Sequence, residues 1–223
     1  MQEEAWTEYK KITRKWLFPD VLLVNGDAIE GNQSKQGGAE LITTDRNVQC
    51  DMAVEAIKAL NASQVLMTYG SKYHVSDSAE DFEYAIAGRL QAKIGGRLYF
   101  KIEGMTLDAR HKIGVSSLPQ GRATALLKEM AWNLIKSADN QSPKVNVVIR
   151  SHTHYHIWIE QPNRVMFTTP SLQLSRGRYG SRECVGETHW GMMRLIIKGK
   201  EIIERNIVCK SLVGNKPQII KVR

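Results

Sequence analysis

The sequence predicts an α/β fold in which mixed β-sheet, as one sheet or as two packed sheets, is flanked by helices. Up to Ser151, short apolar runs typical of buried strands alternate with amphipathic segments of helical period. After Ser151, strand-like segments follow one another without a helix between them. The chain has 223 residues, of which 42% are hydrophobic, so it can bury one sizeable core. We therefore expect a single domain over residues 1–223.

The first part of the chain predicts alternating helices and strands. Apolar residues of the segment 5–17, among them Trp6, Tyr9 and Ile12, fall near one face of a helix, which Pro19 ends. The segment 20–25 predicts a strand buried on both faces, because its centre is an unbroken apolar run. The segments that follow are a polar, glycine-rich loop over 26–38, a helix over 44–60, a strand over 65–69, and a helix over 78–93 with Ser78 and Asp81 at its start.

The second part of the chain turns from this alternation to consecutive strands. Two strands are predicted within 97–110 on either side of Gly104, followed by a helix over 123–137 and a strand over 145–149. The remaining predicted strands cover 155–160, 165–169, 192–198 and 201–209. This order of elements is typical of mixed sheets with helices on their outer faces.

Composition argues against several classes of protein. The longest apolar runs are far shorter than the ~20 residues that cross a bilayer, and the acidic N-terminus has no apolar stretch behind it. We therefore expect neither a membrane partner nor a secretory signal. The three cysteines form no C-x-x-C motif, which disfavours a disulfide scaffold and a cysteine-based zinc site. A reducing cytoplasm is the predicted location.

The positive charge of the chain is unevenly distributed. The formal net charge is +8, and residues 164–223 hold 12 Lys or Arg against 4 Asp or Glu, whereas the rest of the chain is balanced. Such an excess indicates an anionic partner for the basic C-terminal portion, 164–223. A solvated basic surface without a partner is the alternative interpretation.

Polar side chains able to bind ligands follow several of the predicted strands. Asp27 follows the first strand, His74 the second, His111 the strand that ends near Arg110, and His152, His154 and His156 the strand over 145–149. Because open α/β sheets bind ligands beyond the carboxyl ends of their strands, we expect these groups to converge.

A single Asp or His at such a position is weak support for a ligand site. An Asp after a strand is usually a turn or cap residue, and a lone His is more often hydrogen-bonded at the surface. Three alternating histidines are different, because in an extended chain His152, His154 and His156 point to one face. Imidazole is a common ligand for zinc, iron and nickel. The pattern therefore predicts that at least two of the three bind a metal ion.

The order of these motifs resembles the calcineurin-like metallophosphoesterases, and among them most closely the phage and prophage variants. The resemblance rests on Gly26-Asp27-Ala28-Ile29-Glu30-Gly31, Gly70-Ser71-Lys72-Tyr73-His74, His111, Ser151-His152-Thr153-His154 and Thr169-Pro170-Ser171-Leu172-Gln173. It spans nearly the whole chain. It implies a four-layer sandwich, in which two packed mixed β-sheets are flanked by helices, and hydrolysis of a phosphate mono- or diester by metal-activated water.

The resemblance also implies a role for each site residue. Asp27 would bridge two divalent ions, His111 and His152 would hold one of them, and His154 would hold the other. His74 would be the general acid that protonates the leaving oxygen, or a further ligand. Because imidazoles dominate this set, Mn, Ni, Zn or Fe is expected rather than Mg.

The sequence departs from the family pattern at three places. Ser151 stands where the family has Gly, Ser71 stands where many members have Asn, and the chain contains no D-x-H motif. In the family, D-x-H ends a strand that precedes the first helix. We therefore expect the first strand and two ligands to be missing, as in a shortened, split or degenerate member. Two interpretations stay open: an enzyme whose activity is impaired, and a non-catalytic protein of this fold that binds nucleic acid.

Three arginines in the basic C-terminal portion are predicted to bind substrate. Arg176, Arg178 and Arg182 follow Thr169-Pro170, and the resemblance implies that this segment returns toward the metal centre. Guanidinium groups suit phosphates, so DNA or RNA is the preferred substrate, while a phosphatase or a small cyclic-nucleotide phosphodiesterase remains open. A solvated loop broken by Gly177 and Gly180 is the alternative.

Overall fold

The computed structural model describes residues 2–33, 37–75, 81–173 and 186–211. The helices are α1 (Gln2–Lys15), α2 (Arg46–Lys58), α3 (Lys72–Val75), α4 (Phe82–Leu90) and α5 (Gly121–Ala138). The strands are β1 (Val21–Asn25), β2 (Gln64–Thr68), β3 (Lys93–Gly95), β4 (Leu98–Ile102), β5 (Met105–Arg110), β6 (Val147–Arg150), β7 (Ile157–Gln161), β8 (Arg164–Thr168), β9 (His189–Lys198) and β10 (Glu201–Ser211). None of the described helices is long and apolar enough to cross a bilayer.

The strands of the described residues form two sheets and a hairpin. The first sheet is parallel, in the order β1-β2-β3, and the second is mixed, in the order β4-β5-β6-β8-β7. Within the second sheet β5, β6 and β8 run parallel, whereas β4 and β7 pair antiparallel at its two edges. Strands β9 and β10 form an antiparallel hairpin. The predicted α/β fold of packed sheets flanked by helices is confirmed.

Apolar residues divide the molecule into layers. One face of the first sheet packs on α2 and α4, where Val54, Ile57, Met67 and Ile86 are buried. The two sheets and the hairpin meet in a second apolar layer made of Leu23, Leu107, Ile149, Phe167, Met193 and Leu195. The outer face of the second sheet packs on α5 through Leu126, Met130, Val148 and Met166. Each large side chain buried in these layers stabilises the fold by about 1.5–3 kcal/mol.

Helix α1 lies against the β9–β10 hairpin rather than on the sheets. Its residues Tyr9 and Ile12 form a buried cluster with Trp190 of β9. The Tyr9 hydroxyl donates a hydrogen bond to the Ala56 carbonyl of α2 at 2.6 Å, so the helix is fixed to two elements at once. Burial raises the pKa of Tyr9 to about 12.

The structure corrects the predicted helix over 78–93. Helix α4 begins after its N-cap residue Asp81, whose side chain accepts a hydrogen bond from the Tyr84 amide, and Ser78 lies outside the described residues. The helix ends at Gln91, which adopts a left-handed conformation with φ of 53°. Lys93 therefore starts β3 and pairs with Leu66 of β2. Strand β3 has only three residues, so its apolar pattern cannot be distinguished from the end of a helix.

The strand register brings the carboxyl ends of both sheets to one level. In the second sheet Arg110 pairs with Arg150, which pairs with Thr168. In the first sheet Asn25 pairs with Thr68. The residues that follow these ends are therefore placed side by side, as expected for parallel strands.

Candidate metal centre

Three side chains that follow different strands converge at these carboxyl ends. Asp27 follows β1, His111 follows β5 directly, and His152 follows β6. One ligand atom from each lies within 4.8 Å of the others, and among the described residues this is the group with the composition and spacing of a metal site. The two sheets thus contribute to one site.

His111 is the central member of the cluster. Its Nε2 lies 2.8 Å from Oδ2 of Asp27 and 3.2 Å from Nδ1 of His152. Its Nδ1 donates a hydrogen bond to the Asn25 carbonyl at 2.7 Å, which fixes the proton on Nδ1 and points Nε2 into the cluster. Burial alone would lower the pKa of His111, but the hydrogen bond with Asp27 raises it above the ordinary value.

Asp27 is held as a carboxylate by its surroundings. Burial alone would raise its pKa, but the hydrogen bond from His111 and the charges of His74 and His111 lower it to about 2. The Ser71 amide donates to Oδ1 at 2.6 Å, and the Ser71 hydroxyl lies 3.1 Å from the same oxygen. Asp27 is therefore an anion throughout the ordinary pH range, as a ligand for a cation must be.

The backbone around the cluster leaves no room for larger residues. A Cβ placed on Gly70 would collide with Oδ1 and the amide nitrogen of Asp27. A Cβ on Gly26 would lie 2.6 Å from Nδ1 of His111, and Gly26 has a φ of +78°. Both glycines are required by the close approach of the loops that carry the ligands.

His74 stands beside the cluster without being part of it. It lies on α3, with Nε2 3.9 Å from Oδ2 of Asp27, which is beyond hydrogen-bond distance. Its Nδ1 lies 3.0 Å from the Glu30 carbonyl and donates to it, so Nε2 faces Asp27. Since no described residue forms a hydrogen bond with Nε2, this atom can exchange a proton with a group bound next to Asp27.

The structure corrects the expectation that His152, His154 and His156 share one face of an extended strand. His152 and His154 have φ values of 69° and 55°, both left-handed, and β7 begins only at Ile157. His152 joins Asp27 and His111, whereas His154 is not within that cluster. The His156 ring is engaged elsewhere, because its Nδ1 donates a hydrogen bond to the Thr168 carbonyl at 2.6 Å.

His154 is still close enough to interact electrostatically with the cluster. Burial lowers its pKa to about 4, and the charge of His74 acts in the same direction. It is therefore neutral near pH 7, which is the state in which imidazole binds a metal ion.

Left-handed conformations are costly for residues other than glycine, and Asp27, His152 and His154 all adopt one at this site.

Glu83 is a site residue that the sequence analysis missed. It lies on α4 and is fully buried, and its carboxylate accepts hydrogen bonds from the amides of Ala28 at 3.0 Å and Gly70 at 2.7 Å. Burial raises the pKa of Glu83. Through its two hydrogen bonds, Glu83 joins the loop that carries Asp27 to the loop that precedes His74. A charged residue beside the apolar positions of a helix was the only signal in the sequence.

Asn25 performs a similar task between the two sheets. Its Nδ2 donates to the Arg110 carbonyl at 3.2 Å and to the Ser151 hydroxyl at 2.7 Å. Its Oδ1 accepts from the Thr68 hydroxyl at 2.8 Å. The ends of four strands are therefore connected through one buried amide, immediately behind the metal cluster.

Arg176, Arg178 and Arg182, predicted to bind substrate, lie outside the described residues. Their role therefore stays a prediction.

Comparison with known proteins gives similarity at the level of structure. No protein-family model and no curated protein matches the sequence. A single mutant of Vps29 from Entamoeba histolytica has a TM-score of 0.51 and 15% identity, covering 93% of this chain and 83% of that chain. A double mutant of the same protein has a TM-score of 0.50 and 14% identity, with coverage of 92% and 82%. An archaeal phosphodiesterase has a TM-score of 0.41 and 18% identity, with coverage of 70% and 76%.

Likeness at this level of identity shows the fold alone. The Vps29 structures are members of the calcineurin-like metallophosphoesterase fold, with packed mixed sheets flanked by helices. The closeness to phage variants and the absence of a first strand stay predictions. The chain therefore has the metallophosphoesterase-like fold.

Proposed function

We propose that this chain is a metal-dependent phosphoesterase that hydrolyses a phosphate mono- or diester by metal-activated water. The observation that carries the proposal is the convergence of Asp27, His111 and His152 at the carboxyl ends of two sheets. The fold, which is that of phosphoesterases as well as of Vps29, supports it.

The donor set fits a divalent transition ion. Two imidazoles and one carboxylate suit Zn, Fe, Mn or Ni better than Mg, and three protein ligands leave open positions for water and substrate. The hydrogen bond from His111 to the Asn25 carbonyl supports the fit, because it orients Nε2 toward the other ligands. Asp27 and His154 are the residues we assign to a second ion.

When bound, the metal supplies positive charge that lowers the pKa of water and stabilises charge on the phosphoryl oxygens. Asp27, His111 and His152 would hold the ion, and His111 keeps its proton on Nδ1, hydrogen-bonded to the Asn25 carbonyl. His74 holds the proton that the leaving oxygen takes, at Nε2, while its Nδ1 stays bonded to the Glu30 carbonyl. The carbonyl fixes the orientation of the ring during the transfer.

Metal binding is tested by calorimetric titration of the chain with Mn²⁺ or Zn²⁺. We expect about one ion to bind tightly, and His152→Ala to abolish this binding because it removes one of three ligands. His156→Ala is the matched control, since its ring is bonded to the Thr168 carbonyl instead of joining the cluster. Equal loss in the two variants would show that the ligands are assigned wrongly.

The role of His74 is tested with two diesters that differ in leaving group. His74→Ala should lower kcat/KM about 100-fold for a phenyl ester, because phenolate needs a proton to leave. The loss should be much smaller for bis-p-nitrophenyl phosphate, whose leaving group departs readily as an anion. An equal loss for both esters would contradict the general-acid role and favour a ligand role for His74.

A second candidate function is that of a metal-binding, non-catalytic protein of this fold. The observation in its favour is that His154 lies outside the three-ligand cluster of the described residues, which leaves the second ion with few donors. For the same reason we expect only weak hydrolysis by the chain as it stands. Metal binding that depends on His152, without any metal-dependent hydrolysis, would favour this second function.

A further inference from the structure

A second cleft lies on the α5 side of the mixed sheet, apart from the metal centre. It has a volume of about 230 Å³ and is lined by Arg97, Arg110, Glu129, Trp132, Asn133 and Lys136, among others. None of the metal-centre side chains lines it. This volume is below the range of about 300–1,000 Å³ for sites that bury a drug-sized ligand, so the cleft would enclose only part of such a ligand.

A network of charges connects residues that line this cleft to the buried Asp108 and Arg150. Asp108 is fully buried and accepts two hydrogen bonds from Arg97, both at 2.7 Å, and one from Arg150 at 2.6 Å. Burial alone would raise the pKa of Asp108, but these hydrogen bonds and charges lower it. Glu129 on α5 accepts from Arg110 at 2.6 Å and from Arg150 at 2.9 Å. The carboxylates thus hold three guanidinium groups in fixed positions.

The network contains more positive than negative charge. Three guanidinium groups meet two carboxylates, and Lys136 at the end of α5 adds a further cation, so two positive charges are in excess. Such a concave, positively charged site concentrates anions.

The network also has more donors than acceptors. The fully buried Arg150 has an Nε with no acceptor among the described residues. Arg97 and Arg110 use Nε and Nη2 in their hydrogen bonds, and their side chains are 27% and 36% exposed at the cleft. Because no described residue accepts a hydrogen bond from their Nη1 groups, these groups are available to an anion that enters from solvent.

An aromatic ring stands beside these cations. Trp132 lines the cleft and leaves 51% of its surface exposed, one turn of α5 before Lys136. An exposed indole face is a stacking platform for a planar ring, and nucleobases stack on such faces irrespective of sequence. Cations and an exposed indole that line the same cleft suit a ligand that is anionic at one end and planar at the other.

We propose that this cleft binds a nucleoside phosphate, with the phosphate held by Arg97, Arg110 and Lys136 and the base stacked on Trp132. The site is independent of hydrolysis at the metal centre. Arg110 bonds to Glu129 on α5, whereas the next residue, His111, bonds to the Asn25 carbonyl of β1, so the two sites lie on opposite faces of the mixed sheet.

The test is a calorimetric titration with AMP, with ribose 5-phosphate and inorganic phosphate as second and third probes. EDTA is present throughout, so that no probe binds through a metal ion. AMP should bind with one site per chain and at least about tenfold more tightly than either probe that lacks the base. Equal affinity for AMP and inorganic phosphate would overturn the nucleotide assignment.

Two substitutions on the exposed surface of α5 locate the site. Lys136→Glu should weaken AMP binding about tenfold or more, since it places a negative charge beside the phosphate. Lys128→Glu makes the same change at an exposed position of α5 that does not line the cleft, and should leave binding nearly unchanged. Equal effects of the two variants would overturn the proposal, because they would indicate a general charge effect.

Two further variants separate the cleft from the metal centre. Trp132→Ala should weaken the binding of AMP but not that of inorganic phosphate, because only the base contacts the indole. His152→Ala should bind AMP like the unmodified chain. Loss of AMP binding in His152→Ala would overturn the proposal and place the nucleotide at the metal centre.

Discussion

Glu83 lies outside the three-residue metal cluster, yet it determines the geometry of the candidate metal centre. Its two carboxylate oxygens accept the Ala28 and Gly70 amides, so two loops from adjacent strands are held at a fixed separation. A buried carboxylate is unfavourable unless such donors compensate for the lost hydration. Glu83 therefore matters for the position of Asp27 as much as for stability.

Glu83→Gln is the substitution that tests this positioning role. The amide keeps the size of the side chain but offers one acceptor in place of two, so one backbone amide would face an NH₂ group. We expect a stability loss of about 1–3 kcal/mol in urea unfolding. We also expect weaker metal binding by calorimetry, because the Asp27 loop is no longer fixed.

Glu55→Gln on α2 is the matched control, since Glu55 is exposed and undergoes the same chemical change. It should leave the free energy of unfolding and the metal affinity nearly unchanged. Metal binding by Glu83→Gln at unaltered affinity would show that the two loops keep their positions without the carboxylate.

At the scale of elements, the sequence pattern predicts most of the helices and strands, because burial of apolar faces dominates their formation. It could not predict the left-handed turns at Gln91, His152 and His154, since these residues are polar and lack the glycine that usually marks such turns. The convergence of Asp27, His111 and His152 was predictable from strand ends and from the resemblance. The position of His154 outside this three-residue cluster depends on backbone angles that no spacing reveals.

Helix α1 depends on Tyr9 for its attachment to the rest of the fold. Burial raises the pKa of Tyr9 from 10.0 to about 12, so the folded state holds this proton more tightly than the unfolded chain does. The contribution of the protonated Tyr9 hydroxyl to stability is fully present below pH 10 and is lost as the pH rises through about 12. We expect the free energy of unfolding to fall over this interval.

Tyr9→Phe keeps the ring and removes both the titration and the hydrogen bond to the Ala56 carbonyl. The variant should be about 1 kcal/mol less stable at pH 8, with a smaller loss of stability between pH 10 and 12. Urea unfolding at a series of pH values measures both effects. An unchanged alkaline slope in the variant would assign the pH dependence to other tyrosines.

At the scale of the whole molecule, the excess positive charge and the candidate metal ligands lie in different parts of the chain. The candidate metal centre draws on residues between Asp27 and His152, where the chain is nearly balanced in charge, whereas the excess of +8 belongs to the basic C-terminal portion, 164–223. In its described part, Arg205 lies over the ring of Trp158, with its guanidinium carbon 4.4 Å from the ring centroid. A substrate that bridges the two regions would need several phosphates, which a nucleic acid provides and a small ester does not.

We predict that a nucleic-acid substrate contacts Arg176, Arg178 and Arg182 of the basic C-terminal portion. If nucleic acid is the substrate, the chain should bind single- or double-stranded nucleic acid weakly and without sequence preference. Each phosphate contact releases counterions, so replacing the three arginines by Ala should flatten the salt dependence of binding by roughly 2 to 3 units on a log–log plot. Replacing Lys10, Arg14 and Lys15 of α1 by Ala removes the same charge elsewhere and should change the slope much less. If the two triple variants have the same slope, or if nothing binds at low salt, a small phosphate ester becomes the better substrate, because the metal centre alone can hold one phosphoryl group.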